Sequence, residues 1–210
     1  MSPLPNIGLI GKLRSGKSAA GDYLASKYGY TQFAFGDELK DDFHREYPDI
    51  PREPKPRAGY QEYGQRMRRE RGENVWIDAC LGKIADIHDN YALGKLVRYY
   101  GELAEPFRAV ITDCRQLNEA EALASRSFVL IRVEAPDSLR IQRAKAAGDT
   151  FTDADLAHDT ETALDGCTAD FTVVNDAGLA ELYAQIDEIM GYLRLTPETR
   201  YLALKDGAAA

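Results

Sequence analysis

Residues 11–18 read Gly-Lys-Leu-Arg-Ser-Gly-Lys-Ser and fit G-x-x-x-x-G-K-[ST], the pattern of a loop that cradles phosphate. Gly11 and Gly16 allow a turn tight enough for successive backbone N–H groups, those of Arg14 and Ser15 among them, to point inward at phosphate oxygens. Lys17 is spaced to reach the β- and γ-phosphates, Ser18 to ligate Mg²⁺, and the helix that follows presents its positive end to the anion. A second stretch, Val110-Ile111-Thr112-Asp113-Cys114-Arg115, puts an acid at the carboxyl end of an apolar run. If that run is a buried parallel strand, Asp113 lies beside the loop, where it can bind Mg²⁺ directly or through water. Arg115 can fork onto a phosphate. A turn-starting Asp and a surface Arg remain the plainer account of the same residues.

Such chemistry needs a sheet with helices to carry it. Strand-like runs at 7–11, 30–35, 108–113, 128–135 and 170–176 alternate with helical periodicity at 17–28, 37–46, 60–86, 93–103, 116–125, 136–147 and 178–194. That alternation predicts an α/β fold, a five-stranded parallel sheet flanked by helices. Residues 48–59, with Pro48, Pro51, Pro54 and Pro56, read as a loop. The long helical stretch after the second strand and the polar stretch 148–158 before the fifth read as two insertions.

The net charge of −8 over 210 residues argues against a general nucleic-acid binder. Residues 52–71 nevertheless hold Arg52, Lys55, Arg57, Arg66, Arg68, Arg69 and Arg71 against Glu53, Glu62 and Glu70, a local excess that suits a small phosphorylated ligand. The arginines at 66–71 fit a solvated helix face equally well. Cys80, Cys114 and Cys167 are odd in number and widely spaced, as are His44, His88 and His158, so neither a disulfide framework nor a structural zinc site is predicted. With no secretory leader pattern and no membrane-length apolar run, a cytoplasmic location is expected.

The chain resembles the deoxynucleoside monophosphate kinases of bacteriophages and their bacterial relatives. The matching pieces run in order: the loop with Arg14-Ser15-Gly16-Lys17; Gly36-Asp37-Glu38-Leu39-Lys40; Gln61 with Gly64, then arginines and Val75-Trp76; Asp113-Cys114-Arg115 with Asn118-Glu119; His158-Asp159-Thr160-Glu161; and Asn175-Asp176 with Leu179 and Glu181-Leu182. Together they cover about residues 5 to 190. The resemblance implies a P-loop kinase fold in one domain, 1–195, with an acceptor-binding helical insertion near 37–92 and a lid near 137–161, followed by a tail at 196–210. It implies ATP and Mg²⁺ as donor and metal, and small-molecule nucleotides as substrates. Gly11, Arg14, Ser15, Gly16, Lys17, Ser18 and Asn175 would hold the donor, with Asn175 near its base. Ser18 and Asp113 would hold the metal. Asp37, Lys40, Gln61, Arg66, Arg68, Arg69, Trp76, Asp113 and Arg115 would face the acceptor. Arg140 and Arg143, three apart on one helix face, would join Lys17 and Arg115 around the transferring phosphoryl group.

The chain departs from that family at Phe35-Gly36-Asp37, where relatives often carry Ser/Ala-Gly-Pro, and at Asp159-Thr160, where they carry a Ser. Asp37 reads either as a helix N-cap or as a contact to the acceptor. Trp76, with Tyr60 and Tyr63, reads either as a base-stacking platform or as core. Related small-molecule kinases, phosphomevalonate-like or dephospho-coenzyme A-like, remain alternatives, as does a kinase of a modified base in DNA. A nucleotide switch or ATPase fits less well: no guanine-reading Asn/Thr-Lys-x-Asp occurs, and Asp113 is followed by Cys114 rather than Glu. A homodimer is left open.

Overall fold

The computed structural model describes residues 3–97, 107–147, 163–164, 166–196 and 199. Strand β1 (Ile7–Ile10) is buried at every position, as a strand covered on both faces must be. It lies at the centre of a five-stranded parallel sheet of order β2-β3-β1-β4-β5, formed with β2 (Thr31–Phe33), β3 (Ala109–Cys114), β4 (Val129–Glu134) and β5 (Phe171–Val174). Ile7 pairs with Val110 on one side and Val129 on the other; Thr31 pairs with Ala109, and Ile131 with Phe171. The loop after β1 therefore emerges mid-sheet at the carboxyl edge, where open α/β sheets bind ligands.

Helices α1 (Lys17–Tyr28) and α7 (Leu179–Leu193) cover one face around Leu9, Leu24, Val133, Leu182 and Met190. They are stapled at their outer rim by Asp187, which accepts hydrogen bonds from Tyr23 (2.9 Å), Tyr28 (2.7 Å) and Lys27 (2.7 Å). On the other face α4 (Val75–Val97) and α5 (Leu117–Ser125) pack through Ile77, Leu81, Ile84 and Leu123 onto Ile111 and Leu130. A smaller third cluster, Phe43, Tyr63, Met67 and Trp76, joins α4 to α2 (Phe35–Glu46) and α3 (Arg57–Arg71). Helix α6 (Asp137–Ala146) follows β4. At the sheet's outer edge the Gln185 amide donates to the Val174 carbonyl and accepts from its N–H, both at 2.8 Å.

The α/β architecture expected from the sequence is present, with four local differences, the first being that α4 runs unbroken through 87–92, where a gap between two helices was expected. The second strand ends at Phe33 because the N–H groups of Phe35 and Gly36 already find side-chain partners and open α2 there. The single helix expected at 60–86 is two helices: Gly72 sits at φ 105°, ψ 154°, which no helix can continue through, and its N–H closes α3 onto the Arg68 carbonyl. Helix α3 also begins inside the loop expected at 48–59, directly after Pro56. Residues 98–103 of the helix expected at 93–103, the lid beyond residue 147 up to 161, and most of the 196–210 tail lie outside the described residues. Among the described residues no helix is long and apolar enough to cross a membrane.

Candidate active site

Between β1 and α1 the chain makes the predicted turn with Arg14 at φ 59° and Gly16 at φ 115°. Gly16 is the N-cap of α1 and supplies no side chain to it, so the positive end of the helix faces the loop without a side-chain cap. The Lys17 ammonium folds back over the loop, donating to the carbonyls of Gly11 (2.5 Å) and Lys12 (2.9 Å), and its residue is only 9% exposed. The Ser15 hydroxyl is buried and has no hydrogen-bond partner among the described residues. An uncapped helix start, a folded-back lysine and an orphaned hydroxyl are what a polyphosphate would satisfy, so the residues present fit a nucleoside triphosphate.

Facing the loop, the end of β3 carries Asp113 and Arg115. Asp113 Oδ1 accepts the Phe35 N–H at 2.8 Å and Oδ2 the Gly36 N–H at 3.0 Å. A strand-end acid thus caps α2 across the sheet. This corrects the local reading of Asp37: the helix starts two residues earlier, at a cap position held by Ala34, and Asp37 pairs instead with Lys40 at 2.6 Å. Burial pushes the Asp113 carboxyl above its usual range while the two backbone donors pull against it.

Arg115 is held from behind. Glu119 Oε2 accepts its N–H at 2.7 Å and that of Gln116 at 3.0 Å, closing a capping box at the start of α5. Glu119 is buried, and burial raises its carboxyl pKa more than the two N–H donors lower it. The folded chain therefore keeps this proton to a higher pH than the unfolded chain does. Ionising it costs stability as pH climbs from the ordinary carboxylate range toward the raised value. Glu119→Gln keeps an acceptor oxygen and removes the charge. Its Tm relative to wild type should accordingly improve as pH rises above the ordinary carboxylate range, about pH 4; a constant or shrinking difference would mean that the carboxylate is not penalised.

The sequence placed Arg140 and Arg143 together at the transferring group. The structure separates them. Arg140 is 4% exposed, donates to the Leu13 carbonyl at 2.7 Å and pairs with Asp137 at 2.6 Å, so it supports the loop from beneath. Arg143 does reach the cavity between the loop and β3, a space of about 570 Å³ that Arg14, Lys17, Ser18, Asp113 and Asn175 also line. Arg115 forms part of the same wall. Asn175 does not offer its side chain outward: its amide donates to the Ser15 carbonyl at 2.8 Å and accepts from Arg143 at 3.1 Å.

The residues of α2 to α4 divide. Arg66 pairs with Glu46 at 2.5 Å and lies over the Tyr63 ring; Arg52 pairs with Asp41 and Arg71 with Asp42. Much of the positive excess at 52–71 is thus matched by acids of α2 that precede it in sequence. Gln61 and Arg69 line a separate groove along α3, about 340 Å³, together with Ala58, Glu62 and Gln65. Arg68 is half-buried, and its charge acts on Glu119 at the start of α5. Trp76 is 4% exposed and packs on Tyr63, 6.1 Å between ring centres, which places it in the core rather than on an open face. As the chain's single tryptophan it reports on this directly. Its emission should be blue-shifted, resist quenching by acrylamide, and stay unchanged when nucleoside monophosphates are added; strong quenching by nucleotide would put it back at a base.

The matched family model is AAA_18, described as an AAA domain, and it spans residues 7–164. The chain belongs to this AAA domain family. The matched span takes in the loop, α2 to α4, β3 with Asp113 and Arg115, and α6, and it stops before β5 and Asn175. Among solved structures, TT1252 from Thermus thermophilus has a TM-score of 0.51 at 16% identity, over 93% of this chain and 100% of that one. A gluconokinase from Sinorhizobium meliloti 1021 gives 0.50 at 17% identity, over 96% and 98%. A shikimate kinase from Bacteroides thetaiotaomicron gives 0.51 at 13%, over 91% and 99%. Identities this low carry the fold alone, and that fold is the P-loop kinase fold. No curated protein matches the sequence.

Sequence reasoning gave no role in this AAA domain to Glu119, to Thr112 and Gly178 in the cavity wall, or to Asn118, which donates to Asn74 at 2.9 Å and ties α5 to the α3–α4 turn. Gln116-x-x-Glu119 before an apolar run carried the capping-box signal for the first of these. The others had none. His158 to Glu161 lie outside the described residues.

Proposed function

We propose that the chain transfers the γ-phosphoryl group of ATP to the phosphate of a nucleoside monophosphate, a deoxynucleotide by preference, giving the diphosphate and ADP. The charge of the cavity carries the proposal. Among its described lining residues are four cations, Arg14, Lys17, Arg115 and Arg143, and one carboxylate, Asp113, which this reading gives to the metal. A hydroxyl acceptor must lose a proton to a base. A phosphate acceptor is already anionic and needs cations around it. The Asp-x-Arg-x-x-Asn-Glu run shared with deoxynucleoside monophosphate kinases supports the same acceptor.

In this reading the loop N–H groups and Lys17 hold the donor's β- and γ-phosphates, and Arg115 holds the acceptor phosphate. Arg143 flanks the donor. Ser18 and Asp113 would hold Mg²⁺, which neutralises charge on the phosphates. The phosphates and water would complete the coordination of an ion held this way. Catalysis is then positioning and charge stabilisation by these side chains.

ADP release with Mg-ATP against a panel of dNMPs, NMPs, 5-phosphomevalonate and hydroxyl acceptors such as gluconate decides the matter. Turnover confined to one or more nucleoside monophosphates is expected. Turnover on a hydroxyl acceptor, or on none, would sink the proposal.

A further inference from the structure

We infer that Asn175 is a positioning residue that locks the Ser15–Gly16 peptide of the phosphate-binding loop, and that it does not read the nucleotide base. The residue follows β5 directly, and its own N–H donates to the Glu134 carbonyl at 2.7 Å, fixing its backbone to β4. Its side chain is turned under the loop and the residue is 3% exposed. Nδ2 donates to the Ser15 carbonyl at 2.8 Å. Oδ1 accepts from Arg143 at 3.1 Å, and the Asn175 carbonyl accepts from the same guanidinium nitrogen at 3.2 Å. One residue thus joins the loop and α6 through its side chain and the ends of β4 and β5 through its backbone.

The choice of carbonyl matters. Across a trans peptide the C=O of one residue and the N–H of the next point in opposite directions. Holding the Ser15 carbonyl toward Asn175 turns the Gly16 N–H to the other side, where the loop closes around phosphate. Were that peptide to flip, a carbonyl oxygen would face the anion in place of a donor. Gly16 makes the flip easy, because glycine crosses between backbone regions closed to other residues and here sits at φ 115°. It is also required by the lock: a Cβ on Gly16 would lie 2.1 Å from Asn175 Nδ2. Glycine gives the turn its shape, and the amide removes the freedom that comes with it.

The inference rests on the proposed function only in that the loop must bind a polyphosphate, so binding without acceptor tests it. Calorimetry of wild type and Asn175→Ala with inorganic tripolyphosphate and with ATP should show both ligands weakened by the same factor, on the order of tenfold. In turnover the donor KM should rise while the acceptor KM holds. ATP weakened with tripolyphosphate unchanged would make Asn175 a base reader and overturn the lock, as would no change in either ligand. If the truncated chain fails to fold, NMR of the wild type still decides. The Asn175 side-chain amide protons should exchange slowly with water and shift with tripolyphosphate but not with adenosine; the reverse pattern overturns the inference. A wild type that binds tripolyphosphate yet phosphorylates no acceptor would sink the proposed function and leave the lock standing.

Discussion

Lys17→Ala should lower the turnover number by about 10²–10³-fold, the usual cost of removing one preorganised donor from a charge-developing site. The side chain rests on the carbonyls of Gly11 and Lys12 and is almost fully enclosed, so it has only to turn from them to meet a phosphate. Its charge then acts in poorly screened surroundings, where it is worth most. Lys17→Arg should not restore activity, since a planar fork cannot occupy the space of a compact ammonium. Thermal unfolding run alongside should show a change too small to account for the loss. Transfer that survives Lys17→Ala within a factor of about ten would remove the loop from the chemistry.

Asp113→Ala is expected to act on stability first. It orphans two N–H groups at the start of α2, each costing about 1–3 kcal/mol when buried, while relieving the carboxylate of its own burial. A net loss of about 3 kcal/mol follows, or a fall in Tm of about 6–12 °C for a chain of this size. Asp113→Asn should fall between, because its amide oxygen satisfies one donor and its NH₂ confronts the other. If α2 to α4 bind the acceptor, as the resemblance implies, the acceptor KM should rise further than the donor KM. An unchanged Tm with kcat abolished would mean that Asp113 serves the metal far more than the helix.

Local sequence carried the loop, the strand count and the helices that flank them, because each follows from spacing along the chain: glycines at fixed offsets, and apolar residues every second or every third and fourth position. Partners from distant segments could not be read that way. Asp113 as the cap of a helix 78 residues earlier, and Asn175 beneath a loop 160 residues earlier, exist only once β3 lies beside β2 and β4 brings β5 within reach of β1. For the same reason Arg140 and Arg143 looked equivalent on one helix face, although the Leu13 carbonyl takes one and leaves the other at the cavity. The α3 arginines misled differently. Counting charge inside one window hid the acids of α2 that neutralise it.

The Gln185 amide bears on how the molecule behaves in a crowd. Successive residues of a strand turn their backbone groups to opposite sides, so only Thr172 and Val174 of the four-residue β5 look outward, and Gln185 already occupies both groups of Val174. A strand from another copy would find a single residue to pair with, too few to hold a register. Continuation of the sheet into fibrils or runaway stacks is therefore blocked at this margin by one side chain, without proline or added charge.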